Sequence, residues 1–402
     1  MGIIKVSDNV YSVGVINPSL RVFDIIMESK YGTSYNAYFI AGKKNVLVET
    51  VHEDYFDEYI YNVSCLVDIS DIDYIVMNHT ELDHSGSLIK LLKINPNITV
   101  VCTAAAEKYL KSIINMDFKC KTVKHKEKIE IGPNSNIEFI VAPLLHWPDS
   151  MMTYLESDNI LFSCDFLGAH FCEPSMLEEN IHYKKEYMNE FKYYYNCIFG
   201  PFKPYVLAGL DKIKDLEISA ICPSHGPIIT KGISDRINDY RKWSTKSPKP
   251  YKSLAIIYAS AYGCTKELAE TAYKTLSEKT QIKPTILDIV STPMEEVAEV
   301  IENCDALVVA SCTINRDAPK LIWDALSRID AINSRTKYAG AIGSYGWSGE
   351  AVDMIKNRLS MLNFKFIGDG IKVLFKPRKE DLQKVSEYIM EIANKLQQNG
   401  SN

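Results

Sequence analysis

The chain has 402 residues, too many for one ordinary hydrophobic core, so two domains are expected. Its 46% hydrophobic and 24% charged residues are in the balance of a soluble globular protein. A net charge of −6, with no long run of Lys and Arg, argues against a nucleic-acid partner, and no apolar run approaches the ~20 residues of a membrane span. The start, Met1-Gly2-Ile3-Ile4-Lys5-Val6-Ser7-Asp8, has no signal-peptide apolar region, and Val6 stands where a myristoylation signal needs Ser or Thr. The ten cysteines include no C-x-x-C pair. That excludes an in-chain rubredoxin or zinc ribbon and predicts reduced thiols in a cytoplasmic protein.

Short strands and turns are expected first, at Val10–Val15, Phe23–Met27, Ser34–Ile40 and Val46–Val51, with a turn at 41–45. A helix follows over 53–66, then the apolar strand Asp73–Met77, a polar loop at 78–86 and a helix from Gly86 with Ser85 as its cap. Beyond it come the strand Ile98–Cys102, the helix Ala104–Ile114, a charged segment Lys121–Lys128, and strands at Ile137–Ala142 and Asn159–Phe162. A largely helical stretch covers Ser175–Ile198, and the strand Ile218–Cys222 runs into Pro223-Ser224-His225. Strand ends alternating with helices indicate a layered α/β domain. Two prolines among small polar residues near 243–250 mark a linker, which bounds domains at 1–248 and 249–402. After it, strands at Ser253–Tyr258, Lys283–Asp288, Ala306–Ala310, Lys337–Gly343 and Phe366–Ile371 alternate with helices at Thr265–Lys279, Met294–Cys304, Lys320–Ile329, Glu350–Asn363 and Lys379–Gln398. Five such repeats describe a doubly wound parallel sheet.

The loop after Asp73–Met77 carries the chemistry. His79, Glu81, Asp83 and His84 place four metal-competent side chains within six residues, far denser than a solvated turn. If the first ligands sit at a strand end, partners should too, and His146, Asp165 and His225 each follow a strand. Seven ligands exceed one metal and suit two. The other histidines read differently: His125 and His182 as surface, His52 as a helix start. His170, five residues past Asp165, is the exception: a role as a ligand or as an orienting group is left open, and it stays outside the ligand set. Tyr193-Tyr194-Tyr195 reads as core plus helix surface and stays outside the site.

The pattern His79-Thr80-Glu81-Leu82-Asp83-His84 resembles the metal motif of the metallo-β-lactamase superfamily in the variant found in flavodiiron proteins. Zinc hydrolases of that superfamily usually carry His at the second ligand place, and Glu81 stands there. A carboxylate adds negative charge and a hard oxygen, which shifts preference from zinc toward iron. The resemblance places His146, Asp165 and His225 as the third His, the bridging Asp and the last His. It implies one iron on His79, Glu81 and His146, another on Asp83, His84 and His225, and Asp165 shared.

A second constellation lies between a strand and a helix: Ser260, Ala261, Tyr262, Gly263, Cys264 and Thr265. An anion bound there would meet backbone N–H groups at a helix N-terminus, with the two hydroxyls as further donors. It resembles the flavodoxin phosphate loop, although Ala261 and Cys264 replace polar residues. Loops at the ends of the third and fourth strands hold Ser311, Thr313, Ile314 and Asn315, then Ser344, Tyr345, Gly346, Trp347, Ser348 and Gly349. They resemble the loops flanking the isoalloxazine ring in flavodiiron proteins, with Cys312 in place of a common proline. Tyr345 or Trp347 would pack beside that ring. No strand–G-x-G-x-x-G–helix unit appears, so a dinucleotide site is not indicated.

Across essentially the whole chain the resemblance is to flavodiiron proteins. It implies an N-terminal metallo-β-lactamase-like αββα sandwich, a C-terminal flavodoxin-like sheet, FMN and two non-haem irons. The implied activity is reduction of dioxygen to water, of nitric oxide to nitrous oxide, or both. An external donor, a rubredoxin-like protein or a reduced deazaflavin, would supply electrons, and the working unit would be a head-to-tail homodimer or a dimer of dimers. Two rivals remain open: a dizinc hydrolase of the same fold, and a non-enzymatic electron carrier built on the flavodoxin half.

Overall fold

Alternation of side chains along short strands assembles residues 2–245 into two large sheets, with two small two-stranded pairs, Val15–Asn17 with Thr33–Tyr35 and Val22–Phe23 with Met27–Glu28, beside them. The first runs in the order Ile4–Lys5, Val10–Ser12, Tyr38–Ile40, Asn45–Val48, Ile72–Val76, Thr99–Cys102 and Lys119–Thr122. The second runs Lys128–Gly132, Ser135–Val141, Met151–Leu155, Ile160–Cys164 and Ala220–Pro223. The two-residue period decides the layers. Val46 and Val48 of the first sheet share a core with Phe139, Met151 and Phe162 of the second. Leu47, out of phase, packs instead with Tyr59, Leu91 and Leu110 on the helices Phe56–Ser64, Leu88–Ile94 and Ala104–Ile114. On the other side Ile140 and Leu161 pack with Phe191, Leu210 and Tyr240 from Lys184–Tyr194, Lys203–Ile213 and Ile233–Ser244. Three cores in succession give four layers, αββα, the arrangement that the family resemblance implies.

The structure is a computed structural model that describes residues 2–245 and 250–398, and it divides into two units, Met1–Lys246 and Ser247–Asn402. The expected boundary at 248 and 249 lies outside the described residues. In the second unit all strands are parallel, in the order Lys283–Asp288, Ser253–Ala259, Ala306–Cys312 and Tyr338–Tyr345, with two short edge segments beyond. Ile256 and Val308 pack with Leu268 and Ile389 of the helices Cys264–Lys279 and Lys379–Gln398. Ile257 and Val309 turn the other way, toward Val297, Ile322 and Ile355 of Met294–Asn303, Lys320–Ser327 and Glu350–Met361. The sheet is doubly wound. No helix among the described residues is long and apolar enough to cross a membrane, and all ten cysteines are free thiols.

Several local expectations need correction. Phe23–Met27 is not one strand but a hairpin, Val22–Phe23 against Met27–Glu28, turned by Asp24 and Ile25 at φ +46° and +69°. Ser85 caps nothing: Leu82–Ser85 is a single helical turn, the next helix begins at Leu88, and the Ser85 hydroxyl donates to Thr80 O at 2.9 Å. The segment read as charged at 121–128 runs into a strand at Lys128–Gly132. Phe366–Ile371 is broken into Lys365–Phe366 and Ile371–Leu374, both parallel to Tyr338–Tyr345, because Gly368 and Gly370 take φ +58° and +81° between them.

Candidate metal centre and flavin pocket

The loop that leaves Ile72–Val76 is tied down before it reaches its polar residues. Asn78 N–H donates to Glu49 Oε1 at 2.8 Å, and Asn78 O accepts from Met151 N at 2.8 Å across the sandwich. The Thr80 hydroxyl donates to Asp149 Oδ2 at 2.8 Å. Loops from both sheets therefore meet at one end of the layers, and all seven residues singled out for metal converge there.

Asp165 stands at the centre, with its two oxygens facing different neighbours. Oδ2 lies 2.9 Å from His79 Nε2 and 3.1 Å from His146 Nε2, while Oδ1 lies 3.4 Å from both His84 Nε2 and His225 Nε2. Glu81 Oε2 is 3.5 Å from His79 Nε2 and 3.3 Å from His146 Nε2. Asp83 Oδ2 is 3.0 Å from His225 Nε2 and 3.4 Å from His84 Nε2. These seven residues form two metal-sized groups, His79, Glu81, His146 and Asp165 in one, Asp83, His84 and His225 in the other, each with ligand atoms within 4.8 Å of one another; Glu49, His79 and Cys164 make a third set at the same distance.

These side chains fit metal ions on chemical grounds. His79 and His84 are fully buried, yet neither nitrogen of either ring finds a hydrogen bond, nor does either oxygen of Asp83 nor Oδ1 of Asp165. An unpaired buried polar atom costs about 1–3 kcal/mol, so a cluster of them needs a cation. His225 is pre-set for one, because Nδ1–H donates to Ser34 O at 2.6 Å and leaves the Nε2 lone pair facing the carboxylates. Among the side chains alone, the imidazoles serve as the counter-charges. Burial pushes the Asp165 carboxyl up, but the His79 and His84 rings and the His146 contact outweigh it and hold it well below the ordinary carboxylate range. Burial likewise opposes, and the neighbouring carboxylates overcome, in raising His146 to about 9.

The remaining histidines sort as follows. His52 accepts from Asp54 N at 3.3 Å and caps the turn Glu53–Tyr55, while His125 and His182 are exposed. His170 is buried with Nδ1 2.9 Å from Thr33 Oγ1, and its ring lies 4.9 Å from that of His225. Of the three tyrosines, Tyr194 packs edge-on to His170 at 4.9 Å, the Tyr195 hydroxyl bonds Ser244 Oγ at 2.8 Å, and Tyr193 is at the surface.

Two residues were missed. Glu49 is buried behind His79, where burial pushes its carboxyl up to about 7. It follows the strand Asn45–Val48, so the strand-end rule applied to the others would have found it. Asp24, on the hairpin tip, stands close enough to Glu81 to feel its charge. Burial, with Glu81 and Asp83 beside it, raises its carboxyl to about 6. Phe23 seats that hairpin, its ring 4.2 Å from His170 and 5.6 Å from His225. No local sequence signal marks either contact.

The second unit holds a cavity of about 310 Å3 at the carboxyl ends of its strands. Ala261, Tyr262 and Cys264 line it from the first loop, Thr313, Ile314 and Asn315 from the second. Ser344, Tyr345, Gly346, Trp347 and Ser348 line it from the third. Ser260, Gly263, Thr265, Ser311 and Gly349 lie outside the lining. Ser260 Oγ accepts from Gly263 N at 3.1 Å and Lys266 N at 3.2 Å, shaping the turn into the helix Cys264–Lys279. Thr265 is buried with its hydroxyl 2.7 Å from Ser344 Oγ, and Ser311 donates to Cys312 O at 2.8 Å. Cys312, Arg316 and Phe375 also line the cavity.

Comparison with known proteins covers both units. A model of the ODP family beta-lactamase matches residues 33–226, and the flavodoxin model matches residues 256–388. The flavo-diiron protein FprA2 of Clostridium acetobutylicum is 46% identical over 98% of this chain and 100% of its own length. Type A flavoprotein fprA of Rhodobacter capsulatus is 30% identical over 98% of this chain and 92% of its own. Among solved structures, rubredoxin oxygen:oxidoreductase of Desulfovibrio gigas matches with a TM-score of 0.70 and 25% identity over 100% of both chains. The flavodiiron protein of Giardia intestinalis matches with a TM-score of 0.68 and 27% identity over 98% of this chain and 97% of its own.

Proposed function

We propose, from the premise that this chain belongs to the flavodiiron protein family, that it reduces dioxygen to water, nitric oxide to nitrous oxide, or both. The observation that carries the reading is the position of the Glu81 carboxylate, 3.3 Å from His146 and 3.5 Å from His79, within a set that Asp165 divides in two. Three carboxylates and four imidazoles make a donor set rich in hard oxygen, which suits iron better than an all-imidazole face does. When bound, two irons supply the redox chemistry at the gas and FMN passes the electrons to them.

The protein's part is placement. Asp165 turns one oxygen to each group, so the same carboxylate would serve both metals. The bonds of Asn78 to Glu49 and of Thr80 to Asp149 keep the first loop from relaxing when charge at the site changes. Glu81 and His146 retain 16% and 13% side-chain exposure while His79 and His84 have none, so the entry for a diatomic gas is on the Glu81 side. Electrons come from outside the chain, from a rubredoxin-like protein or a reduced deazaflavin. The similarity to rubredoxin oxygen:oxidoreductase of Desulfovibrio gigas supports the former. Ten free thiols suit the reducing cytoplasm. The test is metal analysis combined with steady-state rates for each gas from one electron donor. Two irons per chain with gas consumption are expected. Two zincs per chain would favour a hydrolase, and absence of any metal would leave an electron carrier.

A further inference from the structure

Four aromatic side chains ring the cavity of the second unit, and one comes from none of the three loops that the strand–loop–helix pattern marks. Phe375 follows the edge strand Ile371–Leu374. Its N–H donates to Tyr345 O at 2.8 Å, which ties it to the fourth-strand loop. Its backbone is left-handed at φ +55°, a conformation rare for a bulky residue. The ring is 63% exposed, so no core packing offsets that strain. What the conformation achieves is contact with the loop: a methyl group on Gly346 would meet two carbons of the Phe375 ring at 3.0 Å. Tyr262 and Trp347, 96% and 85% exposed, stand on the same rim. Large aromatics held open to solvent around one cavity mark a surface built for an apolar, flat ligand.

We infer that Phe375 is a wall of the flavin pocket, packing against the isoalloxazine ring and setting how tightly that ring is held. The inference rests on the flavin assignment above. A phenyl ring has no hydrogen-bonding group, so its contribution belongs to the ring system and is indifferent to the phosphate. The turn at 260–264, at the N-terminus of a 16-residue helix, is where the phosphate belongs.

The two contributions separate in a titration of the full chain, stripped of flavin, with FMN and with riboflavin. Phe375→Ala should weaken both flavins by the same factor, roughly three- to tenfold, from the worth of one aromatic pair. It should also change the visible circular dichroism of the bound flavin. Phe375→Tyr should restore both affinity and spectrum, and Phe375→Leu neither. Unchanged affinity and spectrum in the Ala variant would overturn the inference, as would weakening of FMN alone or full rescue by Leu. A wild-type chain that binds neither flavin would overturn the flavin assignment and this inference with it.

Discussion

Glu81 faces two imidazoles within 3.5 Å, and an imidazole in its place would remove one negative charge and one hard oxygen from the group. Glu81→His should therefore shift the iron-to-zinc ratio toward zinc by roughly tenfold or more on loading with both metals. Gas reduction should fall and FMN content stay the same. Full iron loading with normal turnover would remove Glu81 from the ligand set. Glu49 acts one step further out. Its Oε1 accepts the buried N–H of Asn78, the residue before His79, so Glu49→Ala leaves that donor without a partner and frees the loop. Supports of this kind are worth about 10–100-fold in metal affinity. Chelator competition should show a loss of that order for Glu49→Ala and a much smaller one for Glu49→Gln, which keeps the acceptor oxygen. Equal affinity in wild type and the Ala variant would assign the loop's rigidity to other contacts.

Two loop elements owe their shape to backbone geometry that only some residues accept. The edge of the C-terminal sheet is split by a turn in which Gly370 takes φ +81°, and a methyl there would meet Ala341 O and Val352 Cγ1 at 2.7 Å. Gly263, at the start of the helix Cys264–Lys279, has a similar φ of +87° but nothing within 4 Å of where a methyl would stand. Both Gly→Ala changes carry the left-handed strain of about 1–2 kcal/mol, and only Gly370→Ala adds a clash with backbone. Urea denaturation of the C-terminal unit should show the larger loss for Gly370→Ala, roughly 2–4 kcal/mol against about 1 for Gly263→Ala. Equal losses would mean that the sheet edge yields around the added methyl. The hairpin Val22–Glu28 shows another use of such geometry. Asp24 and Ile25 turn it with positive φ, Phe23 seats it on His170, and Ile25 is left 94% exposed at its tip.

At the scale of the whole molecule, the metal ligands belong to one unit and the flavin pocket to the other. Electron transfer weakens steeply with distance, and the head-to-tail pairing that the family resemblance implies would bring the flavin of one copy to the irons of a second. A two-fold pairing uses the same patches on both chains. Complementation tests it. One parent carries His79→Ala with Asp165→Ala, and the other carries Ser260→Asp, which sets a carboxylate in the loop proposed for the phosphate. Mixed under conditions of subunit exchange, the two inactive parents should regain up to about a quarter of wild-type activity, since half the copies enter mixed dimers and each has one intact pair. Exchange proven by mass with no recovered activity would show that electrons move within one chain.

What the sequence determined by itself was local chemistry and local period. The density of His79, Glu81, Asp83 and His84 on one loop and the strand-end positions of His146, Asp165 and His225 are visible in composition and spacing. The helices Ala104–Ile114 and Lys379–Gln398 and the strand Lys283–Asp288 are bounded in the structure as their periodicity indicates. Where period fails, so does legibility. Met151–Leu155 is buried at all five positions and does not alternate, and it also lacks the run of β-branched residues that marked the equally buried Ala306–Cys312 as a strand. Phe366–Ile371 looks continuous because hydrophobicity does not record the dihedrals of Gly368 and Gly370. Asp24 beside Glu81, and Phe375 against Gly346, depended on the tertiary structure alone. Each contact joins segments that no local rule pairs, and it exists because sheet order and hairpin twist bring distant backbones to the same end of a layer.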